Sequence, residues 1–257
     1  MNASSLTATI RDGGFALSAW NTMPGAALVE AIARGPFDCV TIDMQHGGHD
    51  LASTAAAISA IALAGKGAAV RLALHAWGDA SRVLDAGAAI VVAPMIDTPE
   101  LAREFVAATK YLPLGARSWG PQRAMALTGL DRTTYLATAN RLCLSLAMIE
   151  TREGLERLDD ILAVDGIDGV FVGPSDLSIA LSDGETLDPG ADEVDAALVH
   201  VAARAAHHGK IAALFSVSPA MAIRARDLGY RFVALSTDSS YLALGMAALV
   251  DAVRPAD

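Results

Sequence analysis

Eight short apolar runs, separated by stretches with apolar residues at helical spacing, constrain the fold of this chain more than any other feature. Runs of this length bounded by turn formers are typical of buried strands. Near-continuous apolar strands joined by helical crossovers indicate a parallel sheet covered by helices. Eight such units predict a closed (β/α)₈ barrel of the TIM type, formed as one domain by residues 1–257. The predicted strands are residues 15–20, 37–42, 68–72, 88–93, 142–149, 169–172, 212–215 and 232–235.

Composition limits the partners that the chain can have. The net charge is −10, which argues against nucleic acid and anionic membranes because both require a cationic surface. Apolar residues make up 53% and charged residues only 19%, so we expect subunit contacts to cover part of the surface of a homo-oligomer. Cys39 and Cys143 lie in apolar runs and are predicted to be reduced core residues.

The sequence also limits where the protein is expected to act. Its first residues, MNASSLTATIRDGG, lack the charged and apolar regions of a signal peptide. The most apolar window, AAAISAIALAG, is too short to span a bilayer. We therefore expect a cytoplasmic protein. Neither the Rossmann glycine motif nor the P-loop motif occurs, which removes support for a nucleotide-binding fold.

Polar residues stand where several predicted strands end. In a parallel barrel, catalytic groups lie at the carboxyl ends of the strands, and polar groups in apolar runs are costly unless they are paired or used. The sequence therefore predicts a functional site at this end of the barrel. The residues concerned are Asp43, His46, Arg71, Glu150 and Asp176.

Glu150 and Asp176 are separated by about one βα unit, so they belong to adjacent strands. Neighbouring strands lie about 4.8 Å apart, and two carboxylates at that spacing repel each other unless a proton or cation lies between them. Oxygen ligands suit Mg²⁺ or Mn²⁺, and two protein ligands leave four octahedral positions for water and substrate. A structural alternative is that Asp176, after Gly173-Pro174, caps a helix.

Arg71 and His46 each allow two interpretations. Arg71 could pair with one of the carboxylates, or it could face an anionic substrate or a developing enolate. His46 could be a base oriented by Asp43. His46 and His49 have a metal-like spacing, but the Gly-Gly between them suggests a flexible loop instead.

Two segments resemble the HpcH/HpaI family of class II pyruvate aldolases. They are Met148-Ile149-Glu150-Thr151-Arg152-Glu153 and the run from Gly166 to Ser178, which ends Gly-Pro-Ser-Asp-Leu-Ser. Further support comes from Phe37-Asp38, from Ile42-Asp43 with His46, from Val70-Arg71 and from Ala93-Pro94-Met95. The resemblance extends from about residue 15 to about residue 250.

The resemblance implies a barrel, typically a hexamer with the last helix packed on a neighbouring subunit. Glu150 and Asp176 match the family's metal ligands, Arg71 its substrate-polarising arginine, and His46 with Asp43 its acid/base pair. Asp85 matches an acid that approaches the neighbouring subunit's site. The substrate would bind at Arg71 and at Gly173, Pro174, Ser175 and Asp176, where the backbone N–H groups of Ser175 and Asp176 open a helix and would hold its carboxylate.

The chain departs from the family at three places. Asp43-Met44-Gln45-His46 replaces Asp-Gly-Glu-His, Met148 replaces a frequent Gln, and Arg117-Ser118-Trp119-Gly120 replaces Arg-Gly-Val-Gly. We expect these changes to affect the choice of the aldehyde acceptor and proton transfer near His46. The last of them lies in a long connection, residues 113–141, for which we expect either a subunit contact or a site loop.

The predicted reaction is a reversible aldol addition of a pyruvate or hydroxypyruvate enolate to an aldehyde, with Mg²⁺ or Mn²⁺, or else Co²⁺, Ni²⁺ or Zn²⁺, as Lewis acid. A lysine Schiff base is disfavoured because the three lysines precede strands: Lys66, Lys110 and Lys210. Two alternatives stay open, a malyl- or citramalyl-coenzyme A lyase and a barrel that binds a 2-oxo acid without turnover.

Overall fold

The computed structural model describes residues 1–254 and confirms the closed parallel barrel. Its strands pair in chain order, and β8 closes on β1. All eight predicted strands are present, with ends that differ by up to two residues from the prediction. They are β1 (Ala16–Asn21), β2 (Cys39–Asp43), β3 (Gly67–Arg71), β4 (Ile90–Ala93), β5 (Leu144–Ile149), β6 (Gly169–Val172), β7 (Ile211–Ser216) and β8 (Phe232–Leu235).

The helices form a layer around the strands, as expected for βα units. Most begin at a residue whose side chain accepts a hydrogen bond from the first turn, as Thr98, Asp131 and Thr237 do. The helices are α1 (Ala3–Arg11), α2 (Ala26–Ala33), α3 (Leu51–Leu63), α4 (Trp77–Ala86), α5 (Pro99–Thr109), α6 (Gln122–Thr128), α7 (Arg132–Leu142), α8 (Arg152–Glu156), α9 (Leu158–Leu162), α10 (Pro174–Leu181), α11 (Asp192–His207), α12 (Pro219–Leu228) and α13 (Asp238–Asp251). Within residues 1–254, no helix has the length and apolar character required to cross a membrane.

Helix α1, which the sequence interpretation left unassigned, closes the amino-terminal end of the barrel. Leu6 and Ile10 are fully buried and join the cluster of side chains that fills the barrel interior. They pack there with residues of the strands, including Phe232 and Leu144. The barrel is therefore open to solvent chiefly at the carboxyl ends of the strands.

The long connection at residues 113–141 contains α6 and α7 and lies at the amino-terminal end of the strands. Its Arg117 is buried and donates to Asp85 at 2.5 Å, while its guanidinium lies 4.7 Å from the Tyr111 ring centre. Trp119 packs on the rings of Tyr111 and Tyr135. Within one chain, this segment does not reach the carboxyl ends of the strands.

Lys110 is a fully buried cation at the amino-terminal end of β5. Its Nζ donates to Asp168 Oδ2 at 2.6 Å and to the backbone oxygens of Cys143 and Asn140 at 2.9 and 3.0 Å, so all three N–H groups are used. Arg11 of α1 binds the other oxygen of Asp168 at 2.7 Å. Lys66 and Lys210 likewise bind backbone oxygens that precede strands, which confirms that all three lysines lie away from the carboxyl end of the barrel.

Replacing Lys110 with Met should destabilise the fold but leave the chemistry intact. Removing one partner of a buried ion pair typically costs about 3–5 kcal/mol. Because Arg11 still pairs with Asp168, we expect a loss near the lower end of that range, about 3 kcal/mol, in the free energy of unfolding by urea denaturation. Lys210→Met, which removes one contact with the carbonyl of Ile167, is the control and should cost about 1 kcal/mol. A Lys110→Met protein that is folded but catalytically dead would contradict the structural role and revive a Schiff base.

Candidate active site

A cavity of about 240 Å³ opens at the carboxyl ends of the strands. Side chains from strand ends or the loops that follow them line it, in agreement with the predicted location of the site. Four of the five predicted strand-end residues contribute directly, and the fifth, Glu150, lies beside them. The lining residues are Trp20, Thr22, Asp43, His46, Arg71, Met148, Gly173, Pro174, Ser175, Asp176, Phe215 and Thr237.

Arg71 and Asp43 form a buried bidentate ion pair on adjacent strands. Their Cα atoms are paired in the β2–β3 register. Arg71 Nε donates to Asp43 Oδ1 at 2.9 Å, and Nη2 donates to Oδ2 at 2.7 Å. Although burial opposes it, the hydrogen bonds and charge of Arg71 hold the pKa of Asp43 below its usual value. Arg71 thus pairs with a carboxylate, but with Asp43 and not with Glu150 or Asp176.

Trp20 fixes this ion pair from the side of β1. Its ring centre lies 4.8 Å from the Arg71 guanidinium carbon, and its indole N–H points to Asp43 Oδ2 at 3.3 Å. Phe215 of β7 packs edge-on against the same ring, with 5.0 Å between ring centres. Two hydrogen bonds and one aromatic face hold the plane of the guanidinium group, so the position and direction of its third nitrogen, Nη1, are also fixed. Within residues 1–254, Nη1 makes no hydrogen bond to protein.

Glu150 is a buried carboxylate at the end of β5. Its Oε1 accepts the backbone N–H of Met95 at 2.9 Å, and Met95 adopts a left-handed backbone with φ of 53° to deliver that donor. Burial raises the pKa of Glu150 to about 7, and the negative charge of Asp176 adds to the rise. Burial destabilises the charged form of this carboxyl group, and a cation bound beside it would stabilise that form.

Gly173 brings the chain after β6 close to Glu150. A Cβ at this position would lie 2.6 Å from Glu150 Oε2 and 2.6 Å from the terminal carbon of Met148. Only glycine leaves room there for the carboxylate. Helix α10 then begins with Pro174, and Asp176 stands exposed in its first turn. The glycine therefore explains how this strand end delivers Asp176 beside Glu150.

The donor set at Glu150 and Asp176 fits a divalent cation. Both are hard oxygen ligands, they come from adjacent strand ends, and their mutual repulsion contributes to the raised pKa of Glu150. Within residues 1–254, no group of three or more His, Cys, Asp or Glu side chains is placed to hold a metal ion. A cation bound here would have two protein carboxylates and would keep open positions for substrate.

His46 lies exposed in the loop after β2 and lines the cavity. Its backbone N–H points to Asp43 Oδ1 at 3.4 Å, and that of Gln45 donates to the same oxygen at 3.0 Å. No hydrogen bond joins the His46 ring to Asp43 among residues 1–254. The Asp43 carboxylate faces Arg71 and backbone N–H groups instead of the His46 ring, so it does not orient that ring as the sequence interpretation supposed. His49 is buried, and its Nε2 lies 2.7 Å from Asn21 Oδ1, whereas His46 is exposed on the cavity.

Asp85 lies apart from this cavity within the chain. It stands one residue before the end of α4, near the amino-terminal end of the barrel, where its carboxylate binds Arg117. If Asp85 has the predicted catalytic role, it must act in the cavity of a neighbouring copy of the chain.

Several residues of the cavity were not predicted from the sequence. Trp20, Thr22, Phe215 and Thr237 also stand at or just after strand ends. The strand-end rule would have found them, but their side chains are not ionisable and were passed over. Met95 contributes only its backbone N–H, for which the side chain gives no signal.

The comparisons with known proteins agree with this geometry. Residues 18–243 match the family model described as HpcH/HpaI aldolase/citrate lyase. The chain is 40% identical, over 90% of its length and 91% of the relative's, to a hydroxypyruvate/pyruvate aldolase of Rhizorhabdus wittichii. It is 35% identical, over 90% of its length and 85% of the relative's, to a 2-keto-3-deoxy-L-rhamnonate aldolase of Salmonella gallinarum.

A crystal structure of an HpcH/HpaI aldolase/citrate lyase family protein from Burkholderia cenocepacia superposes with a TM-score of 0.88 at 31% identity, covering 98% of this chain and 100% of that one. Sequence and fold thus agree over nearly the whole length of both proteins. The protein belongs to the HpcH/HpaI aldolase/citrate lyase family and is an aldolase, an enzyme of the lyase class.

Proposed function

We propose that this aldolase is metal-dependent and uses pyruvate or hydroxypyruvate as the donor. It joins C3 of the donor to the carbonyl carbon of an aldehyde, and in reverse it cleaves a 4-hydroxy-2-oxo acid. The observation that carries the proposal is the fixed Arg71 guanidinium in one cavity with Asp176, beside the buried carboxylate of Glu150. The names of two relatives, a hydroxypyruvate/pyruvate aldolase and a 2-keto-3-deoxy-L-rhamnonate aldolase, support the choice of donor.

The donor carboxylate binds at the start of α10. The N–H groups of Ser175 and Asp176 belong to the first turn, so neither has an acceptor one turn earlier in the helix. Gly173, the N-cap residue, offers no side chain to satisfy them. Free N–H groups at a helix amino terminus are suited to bind a carboxylate.

Glu150 and Asp176 hold the cation, for which Mg²⁺ or Mn²⁺ is the best match to two carboxylates. When bound, the cation supplies Lewis-acid polarisation of the donor's ketone. Arg71 presents its free Nη1 to the same oxygen as negative charge develops there. Because Asp43 and Trp20 hold the guanidinium in place, this stabilisation requires little reorganisation during the reaction.

His46, directly or through a water, accepts the proton that leaves C3 of the donor. The C3 electron pair then forms the new bond to the aldehyde carbon, and the resulting alkoxide takes up a proton. The support for His46 is its position on the cavity and the suitability of imidazole as a base near neutral pH.

The experiment that tests this function is exchange of the pyruvate methyl protons in D₂O, followed by NMR with Mg²⁺ and then with EDTA. Exchange reports the enolate without requiring the unknown aldehyde. We expect exchange that depends on the metal. Bound pyruvate without exchange would contradict the proposal and favour a binding protein without turnover.

Arg71→Ala should slow this exchange strongly. Removing a donor to a developing oxyanion costs about 3–4 kcal/mol, or about 10²–10³ in rate. The matched control is Arg103→Ala, which breaks an exposed pair with Glu100 and should leave the rate unchanged. Equal exchange rates for folded Arg71→Ala and the wild type would refute the role of Arg71.

We also propose a homo-oligomer, with a hexamer as the expected form, in which Asp85 approaches the site of a neighbouring copy. The support is α13, whose Leu244 and Leu249 are 71% and 74% exposed, as is Met246 at 61%. Large apolar side chains exposed along most of a helix indicate a contact surface. Sedimentation at micromolar concentration should give an oligomer, and a monomer alone would contradict this proposal.

A further inference from the structure

We propose that Asp238 is a positioning residue that fixes the loop carrying His46, acting through Asn21 and His49. This inference rests on the proposed function because it assigns a purpose to the placement of His46. Asp238 is the first residue of α13, yet its carboxylate binds residues 21–23, at the end of β1 and just after it.

The Asp238 carboxylate accepts four hydrogen bonds from residues 21–23, which form the end of β1 and the start of the loop after it. Its Oδ2 accepts from Asn21 Nδ2 at 2.6 Å and from the backbone N–H groups of Thr22 and Met23 at 2.9 Å each. Its Oδ1 accepts from the Thr22 hydroxyl at 2.7 Å. Asp238 is only 1% exposed, and no Lys or Arg within residues 1–254 makes an ion pair with it. These donors replace a counter-charge and lock residues 21–23 in place.

Helix capping does not account for this carboxylate. The N-cap of α13 is Thr237, whose side-chain oxygen faces the N–H of Ser240. From its own helix, Asp238 accepts only the N–H of Ser239, at 3.0 Å. A negative charge near a helix amino terminus stabilises the helix even when its side chain is exposed to solvent. Burial of the Asp238 carboxylate adds a desolvation cost that this role does not require.

Asn21 passes the constraint to the loop after β2. Its Nδ2 donates to Asp238 and to the carbonyl of Met23, so its Oδ1 must face His49 Nε2, which lies 2.7 Å away. His49 therefore donates from Nε2. Burial lowers the pKa of His49 against the opposing charge of Asp238, which favours the neutral Nε2–H tautomer.

The loop after β2 is packed directly on the segment that Asp238 holds. The N–H of Gly48 donates to the carbonyl of Thr22 at 2.8 Å. A Cβ on Gly47 would lie 2.9 Å from that same carbonyl oxygen, so the contact is close. The residues from 43 to 49 are thus fastened at one end by the Asp43 carboxylate and at the other by His49 and Gly48. His46 stands midway between these two anchors.

The groups proposed to bind the metal and the donor are held by different elements. Arg71 depends on β3 and Asp43, whereas Glu150, Gly173 and Asp176 depend on β5, β6 and α10. Loss of the Asp238 contacts should therefore impair proton removal more than binding of metal or donor. This separation distinguishes positioning from general stability.

The test compares Asp238→Ala with Asp238→Asn in the pyruvate exchange assay. Ala removes every acceptor. Asn can direct its oxygen to Asn21, Thr22 and Met23 and its amide N–H to the Thr22 hydroxyl, so it should retain most of the activity. For Asp238→Ala we expect the kcat of exchange to fall at least tenfold, within the range of about 10²–10⁴ that a general base contributes. The dissociation constant for Mg²⁺ and the KM for pyruvate should change less than about threefold.

A second pair of variants tests the relay without altering α13. His49→Gln keeps a donor near the Nε2 position and should exchange like the wild type, whereas His49→Leu should lose at least about tenfold in kcat. Asp131→Ala removes the exposed N-cap of α7, at the opposite end of the barrel, and serves as the control for a lost cap with unchanged kcat. The His49 pair decides the question if Asp238→Ala does not fold.

Two results would overturn the inference. One is an unchanged kcat in folded Asp238→Ala, or equal kcat values for His49→Leu and His49→Gln. The other is a parallel loss of metal binding, pyruvate binding and kcat in these variants, which would indicate general destabilisation. Failure of the wild-type protein to exchange pyruvate protons would instead refute the proposed function itself.

Discussion

The buried ion pair between Arg71 and Asp43 is the interaction on which the candidate site depends. A guanidinium and a carboxylate removed from water must satisfy each other closely, and these two residues do so through two parallel hydrogen bonds between register-paired positions of β2 and β3. Trp20 adds an aromatic face and a further donor to Asp43. The result is a cation whose position is set by the barrel itself, with one guanidinium nitrogen left for the ligand.

The carboxylates at the two ends of the barrel differ in how completely they are paired. At the amino-terminal end, Asp168 is neutralised by both Lys110 and Arg11, and every N–H of Lys110 has an acceptor. At the carboxyl end, Glu150 has one backbone donor and a neighbouring negative charge, and its pKa rises to about 7. Complete pairing stabilises the fold at one end, whereas incomplete pairing prepares the other end for a cation.

The strand pattern predicted the fold well because a parallel barrel requires nearly continuous apolar strands, which are visible without any knowledge of contacts. The same rule located Asp43, Arg71, Glu150 and Asp176, since strand ends converge in space. It did not reveal that Arg71 pairs with Asp43, because register and side-chain direction are tertiary properties. Nor did it find helix α1, whose Leu6 and Ile10 become a barrel plug only when the barrel exists to receive them.

Several parts of the site could not be predicted from the sequence because they depend on the backbone and on tertiary contacts. Met95 matters through an N–H delivered by a left-handed conformation, and Gly173 matters through the Cβ that it lacks. Asp238 would pass in the sequence for a helix-capping aspartate, because Thr-Asp-Ser-Ser is a common way to begin a helix. Its carboxylate instead holds residues 21–23 at the end of β1, and Asn21 in turn contacts His49 in the loop after β2, which links α13 to the candidate cavity. The placement of His46 would then depend on the first residue of a helix that follows a different strand.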